Sequence, residues 1–321
     1  MACLALHSGQ QFLSSAIAHI DCQAQTIGAF GFAALADPAS PTSRGLTALL
    51  TIFVALFGIR LLLGYRTDGR DVAGEVLKVG IVLTLATSWP AWRVLGYDLM
   101  IEGPQQIARA IGLGAQLPGS AGDLTARLQR IDDALALLNV MGSGRLGVSQ
   151  GDWFQLGFAR SAYLTSTLGG IGLVRLMTGV LLALAPLFAG LLLFAPTRAV
   201  FVGWLRALGA AFIGSLVLTL LQGAQLALME PWFQDALTRR RAEEQLLDAP
   251  VEVLVATLAF ALVSFGALAL VLFIAFHPSS WVAAWRDLRS NLEAEDGAAS
   301  ALRQTGRADE PEYAQARHDH G

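Results

Sequence analysis

The sequence predicts an all-α, polytopic membrane protein. It has about five transmembrane helices, with amphipathic helices in the N-terminal segment and in one long loop. Three observations predict this. Residues 176–229 hold two apolar stretches, broken at Pro196-Thr197-Arg198, with only Arg198 and Arg206 charged. Each is long enough for the roughly 20 residues of helix that cross a bilayer core. The composition is 54% hydrophobic and 15% charged, with a mean hydropathy of +0.54, whereas soluble domains carry roughly 25% charged residues. Further apolar runs stand at 46–63, 76–95 and 253–276.

Taken in order, residues 1–43 form an N-terminal helical segment. They contain no Lys or Arg, so the positive start of a signal peptide is not expected. Ser8 is the expected N-cap of a helix reaching Leu35, with Phe12, Ala16, Ile20 and Ile27 near helical spacing. His19, Asp21 and several Gln make it too polar to span, so it is expected at an interface or facing a partner. Cys3 and Cys22 lie here, either as two small hydrophobes or as a disulfide, which needs an oxidising compartment. Asp37-Pro38-Ala39-Ser40-Pro41 then breaks the helix.

Residues 46–95 supply transmembrane helices one and two, joined by the polar stretch 64–71. Arg60 and Lys78 sit near span ends, where long side chains snorkel. Trp89-Pro90 closes the second span, and Gly80, Thr84 and Ser88 form a small-residue stripe that admits a close helix neighbour. Residues 96–167 read as a long hydrophilic loop. Within it Asp123 caps a helix carrying Leu124, Leu128, Ile131, Leu135 and Leu138 on one face, ended by Gly142. That face packs on its own chain, lies at the bilayer interface, or offers a surface to copies and partners; it is the best candidate for assembly. A Gly/Ser-rich stretch leads to a further amphipathic helix at 153–167.

Transmembrane helices three and four form a hairpin over 168–229, and Pro186 is expected to kink the first of them. Glu230-Pro231-Trp232 ends the fourth span, and the loop 230–252 carries Arg239-Arg240-Arg241. The fifth span is 253–276, and the charged tail 277–321 is expected to be disordered. Arg66, Arg70, Arg198, Arg206, Arg286 and Arg289 favour a periplasmic N-terminus and cytoplasmic C-terminus, although Arg239 to Arg241 break the rule. Trp89, Trp92 and Trp232 then mark outer span ends, and Trp204, Trp281 and Trp285 inner ones.

Motifs for chemistry are missing. Zinc His-Glu-x-x-His and Cys-x-x-Cys patterns do not occur. No Gly-x-Ser-x-Gly nucleophile elbow is expected, because the match Gly147-Val148-Ser149-Gln150-Gly151 lies in the Gly/Ser-rich stretch of the long loop and not at a strand-to-helix turn. Lys78 is the only lysine and follows no glycine-rich loop, which excludes a P-loop nucleotide site. A net charge of −3 offers no broad basic coat for nucleic acid. His318-Asp319-His320 reads as a solvated tail. No catalytic residue, cofactor or metal site is expected. Arg175 and Glu252 also fall near span ends, so an ion-driven pump lacks its mid-membrane charges. Gln222 and Gln225 are the polar residues that deserve a test.

The order of features resembles the TrbL/VirB-six family, the polytopic inner-membrane subunit of type IV secretion and conjugation machines. The residues that carry it are Asp21-Cys22 before Gly28 and Gly31; Thr51-Ile52-Phe53 to Gly58-Ile59-Arg60; Lys78 to Ser88-Trp89-Pro90; and Ala185-Pro186-Leu187-Phe188. Leu193 to Arg198 and Phe201-Val202-Gly203-Trp204-Leu205 complete the set. The resemblance implies a non-enzymatic, bacterial inner-membrane protein that forms a pentameric base for a stalk or pilus and lines part of the substrate route. Its implied partners are copies of itself, the other inner-membrane subunits, minor and major pilins, secretion ATPases, membrane lipids, and transported DNA or protein. On this reading Trp89 and Pro90 set the angle of the long loop. Pro186 is a hinge, and Thr197 and Arg198 hold the inner turn against an ATPase or lipid headgroups. The competing expectation is a small-solute or ion transporter, and a membrane-embedded enzyme stands third.

Overall fold

The computed structural model describes residues 3, 5–63, 73, 74, 76, 77, 79, 80, 82–84, 98–142, 152–194, 196–242 and 248–277. They form an all-α polytopic membrane protein, with no strand among them. The helices are α1 (Phe12–Ala36), α2 (Pro41–Leu62), α3 (Leu99–Gly114), α4 (Leu124–Gly142), α5 (Asp152–Ala183), α6 (Ala185–Leu191), α7 (Arg198–Arg241) and α8 (Ala249–Phe276). The chain divides into two compact units at Leu272. Of the second, the described part is the last turn of α8 and His277, whose ring stacks on Phe273 at 4.5 Å. The first unit holds all the other described residues.

Four described helices are long and apolar enough to cross a membrane: α2, α5, α7 and α8. The expected second span at 76–95 lies largely outside the described residues, although those described between 73 and 84 are helical.

Local chemistry sets the helix starts. The N–H of Ser14 donates to Gln129 Oε1 at 2.9 Å, so a side chain from α4 satisfies one of the open donors at the start of α1. Ser8 is therefore not the cap; the helix begins at Phe12, and Ser15 bonds back to His7 instead. Between α1 and α2, Asp37 accepts from the Ala39 N–H at 2.7 Å, and Ser40 Oγ accepts from the Ser43 N–H at 3.0 Å. Ser40 at the N-cap and Pro41 in the first turn explain why the break at 37–41 starts the next helix at once.

The long helices overrun the boundaries expected from composition. α5 has 32 residues and α7 has 44. At 1.5 Å per residue they are roughly 48 and 66 Å long, against a hydrocarbon core of about 30 Å. No break occurs between residues 167 and 168; α5 runs through it. Nor does Pro231 end α7, which continues to Arg241. The proline removes one backbone donor, but its neighbours are anchored. Glu230 pairs with Arg127, Phe233 is 2% exposed, and Trp232 Nε1 donates to Glu252 Oε2. Packing outweighs the local penalty.

Pro186 likewise does not kink a span from within. α5 stops at Ala183, and Pro186 sits in the first turn of the separate α6, where a missing N–H costs nothing. The segment expected to be loop before Asp123 contains α3, which lies along α7 with Gly103 close against Phe212.

The main core gathers around α4. Leu128, Ile131, Leu135 and Leu138 pack with Leu13, Ile17, Ala159, Tyr163, Leu226, Met229 and Phe233. Tyr163 O–H donates to the Leu128 carbonyl at 2.9 Å inside it.

Candidate functional site

Three ion pairs tie the bundle together, joining helices across 28, 103 and 154 positions of sequence. Asp132 of α4 is fully buried and accepts from Arg160 Nε at 2.6 Å and Nη2 at 3.0 Å. This two-pronged pairing is the geometry that suits guanidinium to carboxylate. Arg127 bridges Asp123 at 2.6 Å and Glu230 of α7 at 2.8 Å. The hydrogen bond from Arg127 holds the Asp123 carboxyl below its ordinary value, and Asp123 in turn raises Arg127. The third pair joins Asp21 of α1 to Arg175 of α5. Arg175 does not snorkel from a span end as its position in the sequence suggests. Its side chain turns inward, 19% exposed, onto a carboxylate 154 positions away.

Beside this pair lies a cavity of about 100 Å3 where α3, α4, α5 and α7 converge with Ile17 of α1, its wall mostly apolar but studded with polar side chains. Gln105 and Arg109 reach it from α3, Thr125 from α4, Arg175 from α5, and Ser215, Thr219 and Gln222 from α7. No carboxylate lines it among the described residues. The turn 115–123 closes one side, with Gly119 at φ 84° and Gly122 at φ 102°. Those left-handed conformations favour glycine, and a Cβ on Gly122 would stand 3.8 Å from the Arg109 guanidinium. Gln222 is 6% exposed, and its amide has no hydrogen-bond partner among the described residues. The signal in the sequence is Ser215, Thr219 and Gln222 at i, i+4 and i+7, a polar stripe on an otherwise apolar helix. Arg109 carries no comparable signal.

Cys3 and Cys22, the first of the expected site residues, are joined as a disulfide, Cα–Cα 5.7 Å. Leu128, Ile131, Leu135 and Leu138 are at most 2% exposed, and Leu124 packs against them. The α4 face is thus the protein's own core and not an assembly surface, because α1, α5 and α7 already cover it. Trp204 is no belt tryptophan either. It is 4% exposed, donates to the Leu181 carbonyl at 2.9 Å and stacks on Phe188. Thr197 Oγ1 donates to the Leu191 carbonyl at 2.7 Å, bracing the turn before α7, and Arg198 is exposed. Trp89 and Pro90 lie outside the described residues, as do His318 and His320. Among the described residues no three His, Cys, Asp or Glu side chains gather as a metal site would require.

The pattern of the TrbL/VirB6 plasmid conjugal transfer protein family matches residues 50–277. The chain belongs to that family. The match runs from within α2 to the end of α8 and takes in all the polar residues of the cavity. The chain is therefore a membrane component of a conjugal transfer or type IV secretion system, and it works with the other components of that machinery. The family is a structural conjugation subunit, not known as an enzyme. No curated protein and no solved structure matches the chain.

Proposed function

We propose that the chain is a channel-base and stalk-assembly subunit of a type IV secretion system in the bacterial inner membrane, supporting substrate translocation and pilus assembly. The family match over 50–277 carries the reading. In this reading residues 1–43, 96–167 and 230–252 belong to the periplasmic side, 277–321 to the cytoplasm, and α5 and α7 rise from the membrane into a braced periplasmic bundle. The Cys3–Cys22 bridge supports a periplasmic N-terminus, because disulfides persist in oxidising compartments. The apolar sides of α2 and α8 are open to lipid, to other copies, pentameric by family likeness, and to neighbouring inner-membrane subunits. The energising ATPases meet the cytoplasmic side, and pilins meet the periplasmic bundle.

Single cysteines at exposed Leu262 and Leu270 of α8 test this, in cells carrying the remaining secretion genes. Crosslinked ladders of several copies, with adducts to secretion subunits, are the expected result. A clean monomer in cells that still transfer substrate overturns the reading. It would favour a small-solute transporter, to which the buried Gln222 and its cavity would then belong.

A further inference from the structure

We infer that the cavity between α3, α4, α5 and α7 is a binding site for a phosphate group. Its lining pairs two arginines with amides and hydroxyls and includes no acid among the described residues. Arg175 already meets Asp21, but Arg109 has no ion-pair partner among the described residues. The site therefore keeps an uncompensated positive charge. Guanidinium forks match phosphate oxygens in geometry as well as charge.

Gln222 is the second observation. The residue is 6% exposed, makes no hydrogen bond among the described residues, and is held at the cavity wall by α7, with Ser215 and Thr219 on the same face. Thr219 Oγ1 donates its proton to the Ser215 carbonyl at 2.8 Å, so the donors open to an acceptor-rich, tetrahedral anion are the Gln222 amide and the Ser215 hydroxyl beside the guanidinium of Arg109. The volume, about 100 Å3, is several times what one ordered water needs.

Position along α7 points to where the phosphate comes from. Gln222 is 24 positions from Arg198, the exposed arginine at the other end of the apolar stretch. That is roughly 36 Å of helix, slightly more than the hydrocarbon thickness of about 30 Å. With Arg198 at one membrane face, the cavity stands at the headgroup level of the other. A phospholipid headgroup and free phosphate share the chemistry, and the experiment separates them.

The full chain, purified in a phosphate-free neutral detergent, is titrated with inorganic phosphate, with short-chain phosphatidylglycerol and with diacylglycerol of the same acyl length, reading thermal unfolding. Stabilisation by phosphatidylglycerol alone supports the site with a lipid headgroup as its occupant. Stabilisation by inorganic phosphate supports it with a free anion. In either case Arg109→Ala weakens the response on the order of tenfold, the loss of one charge-assisted contact, and Gln222→Leu weakens it too. Arg109 is on the surface, so its removal leaves the bundle intact and keeps the test decisive if Gln222→Leu folds poorly. Two results overturn the inference: diacylglycerol acting as well as phosphatidylglycerol, or Arg109→Ala binding as tightly as the parent protein.

Discussion

α5 and α8 are both candidate membrane helices, yet they are held in opposite ways. Half of the span along α5 is buried inside the protein, whereas 11% of the span along α8 is. By composition the order is reversed: α8 is the most apolar of the four candidate spans and α5 the least. α5 is built from small and polar residues that admit neighbours. The Gly179 Cα faces the Ala24 backbone of α1, and Gly31 of α1 meets Ala183. Thr167 and Thr178 are each 2% exposed. α8 is anchored by few side chains, among them Val253 in the main core and Leu268 against Val174 and Leu218. Apolarity marks a helix for the bilayer, but small residues mark it for packing, because lipid competes with apolar side chains as a neighbour and cannot compete with close backbone approach.

The largest expected effect breaks this contrast directly. A Cβ on Gly179 would lie 2.5 Å from the Ala24 carbonyl oxygen, and backbone cannot swing aside. Gly179→Leu should therefore separate α1 from α5 and cost about 3 kcal/mol or more, read as loss of the cooperative unfolding transition in detergent. Gly266 of α8 has nothing within 4 Å. Gly266→Leu should leave stability unchanged or raise it slightly through helix propensity. Equal effects at the two glycines would mean that α5 and α8 are not packed differently after all.

Much of the fold is legible in the sequence because its signals are local. The apolar runs mark α2, α7 and α8, the 37–41 break becomes a capped turn, and the Leu124 to Leu138 periodicity is a helix described from Leu124 to Gly142. The features that are not legible depend on distant partners. α7 passes Pro231 only because Arg127 and the main core hold both sides of it. The α4 stripe shows an amphipathic helix but not its cover, so on its own it leaves core, bilayer interface and assembly surface all open, and the fold makes it core. Trp204 looks like any interfacial tryptophan until Leu181 and Phe188 are beside it. The cavity combines polar residues from four helices. Gln222 stands out as a polar residue in an apolar run, whereas Arg109 on its own is an ordinary surface arginine.

A smaller effect is expected where α1 meets α5 through charge. Asp21 makes α1 too polar to read as a membrane-buried helix, yet α1 packs along the deepest span with Arg175 opposite that carboxylate. Removing Arg175 leaves the Asp21 carboxylate, 34% exposed, without its partner, so Arg175→Met should destabilise by about 2–3 kcal/mol, below the cost of breaking a fully buried pair. The double variant Asp21→Asn, Arg175→Met should recover most of that loss, since removing both charges removes the desolvation cost as well. A double variant no more stable than Arg175→Met would show that Arg175 acts through packing rather than charge. Unfolding in detergent distinguishes the two.

The smallest effect sharpens the comparison by loading only one side of it. The Cys3–Cys22 bridge closes a loop across a separation of 19 residues, folding the segment before α1 back along the helix. A loop of that length restricts the unfolded chain by about 3 kcal/mol in the chain-entropy account. Part of that restriction is already supplied where Gln129 Nε2 donates to the Gln10 carbonyl at 2.6 Å and His7 meets Ser15. Cys22→Ser should therefore cost about 2 kcal/mol. The loss should be felt along α1 and the face of α5 it covers, because those backbones are in contact. Hydrogen exchange resolves this: protection in α1 should fall while that of α8 stays as it was. If α8 loosens as much as α1, the bridge steadies the protein as a whole, and α8 is held by more than the few side chains that touch it.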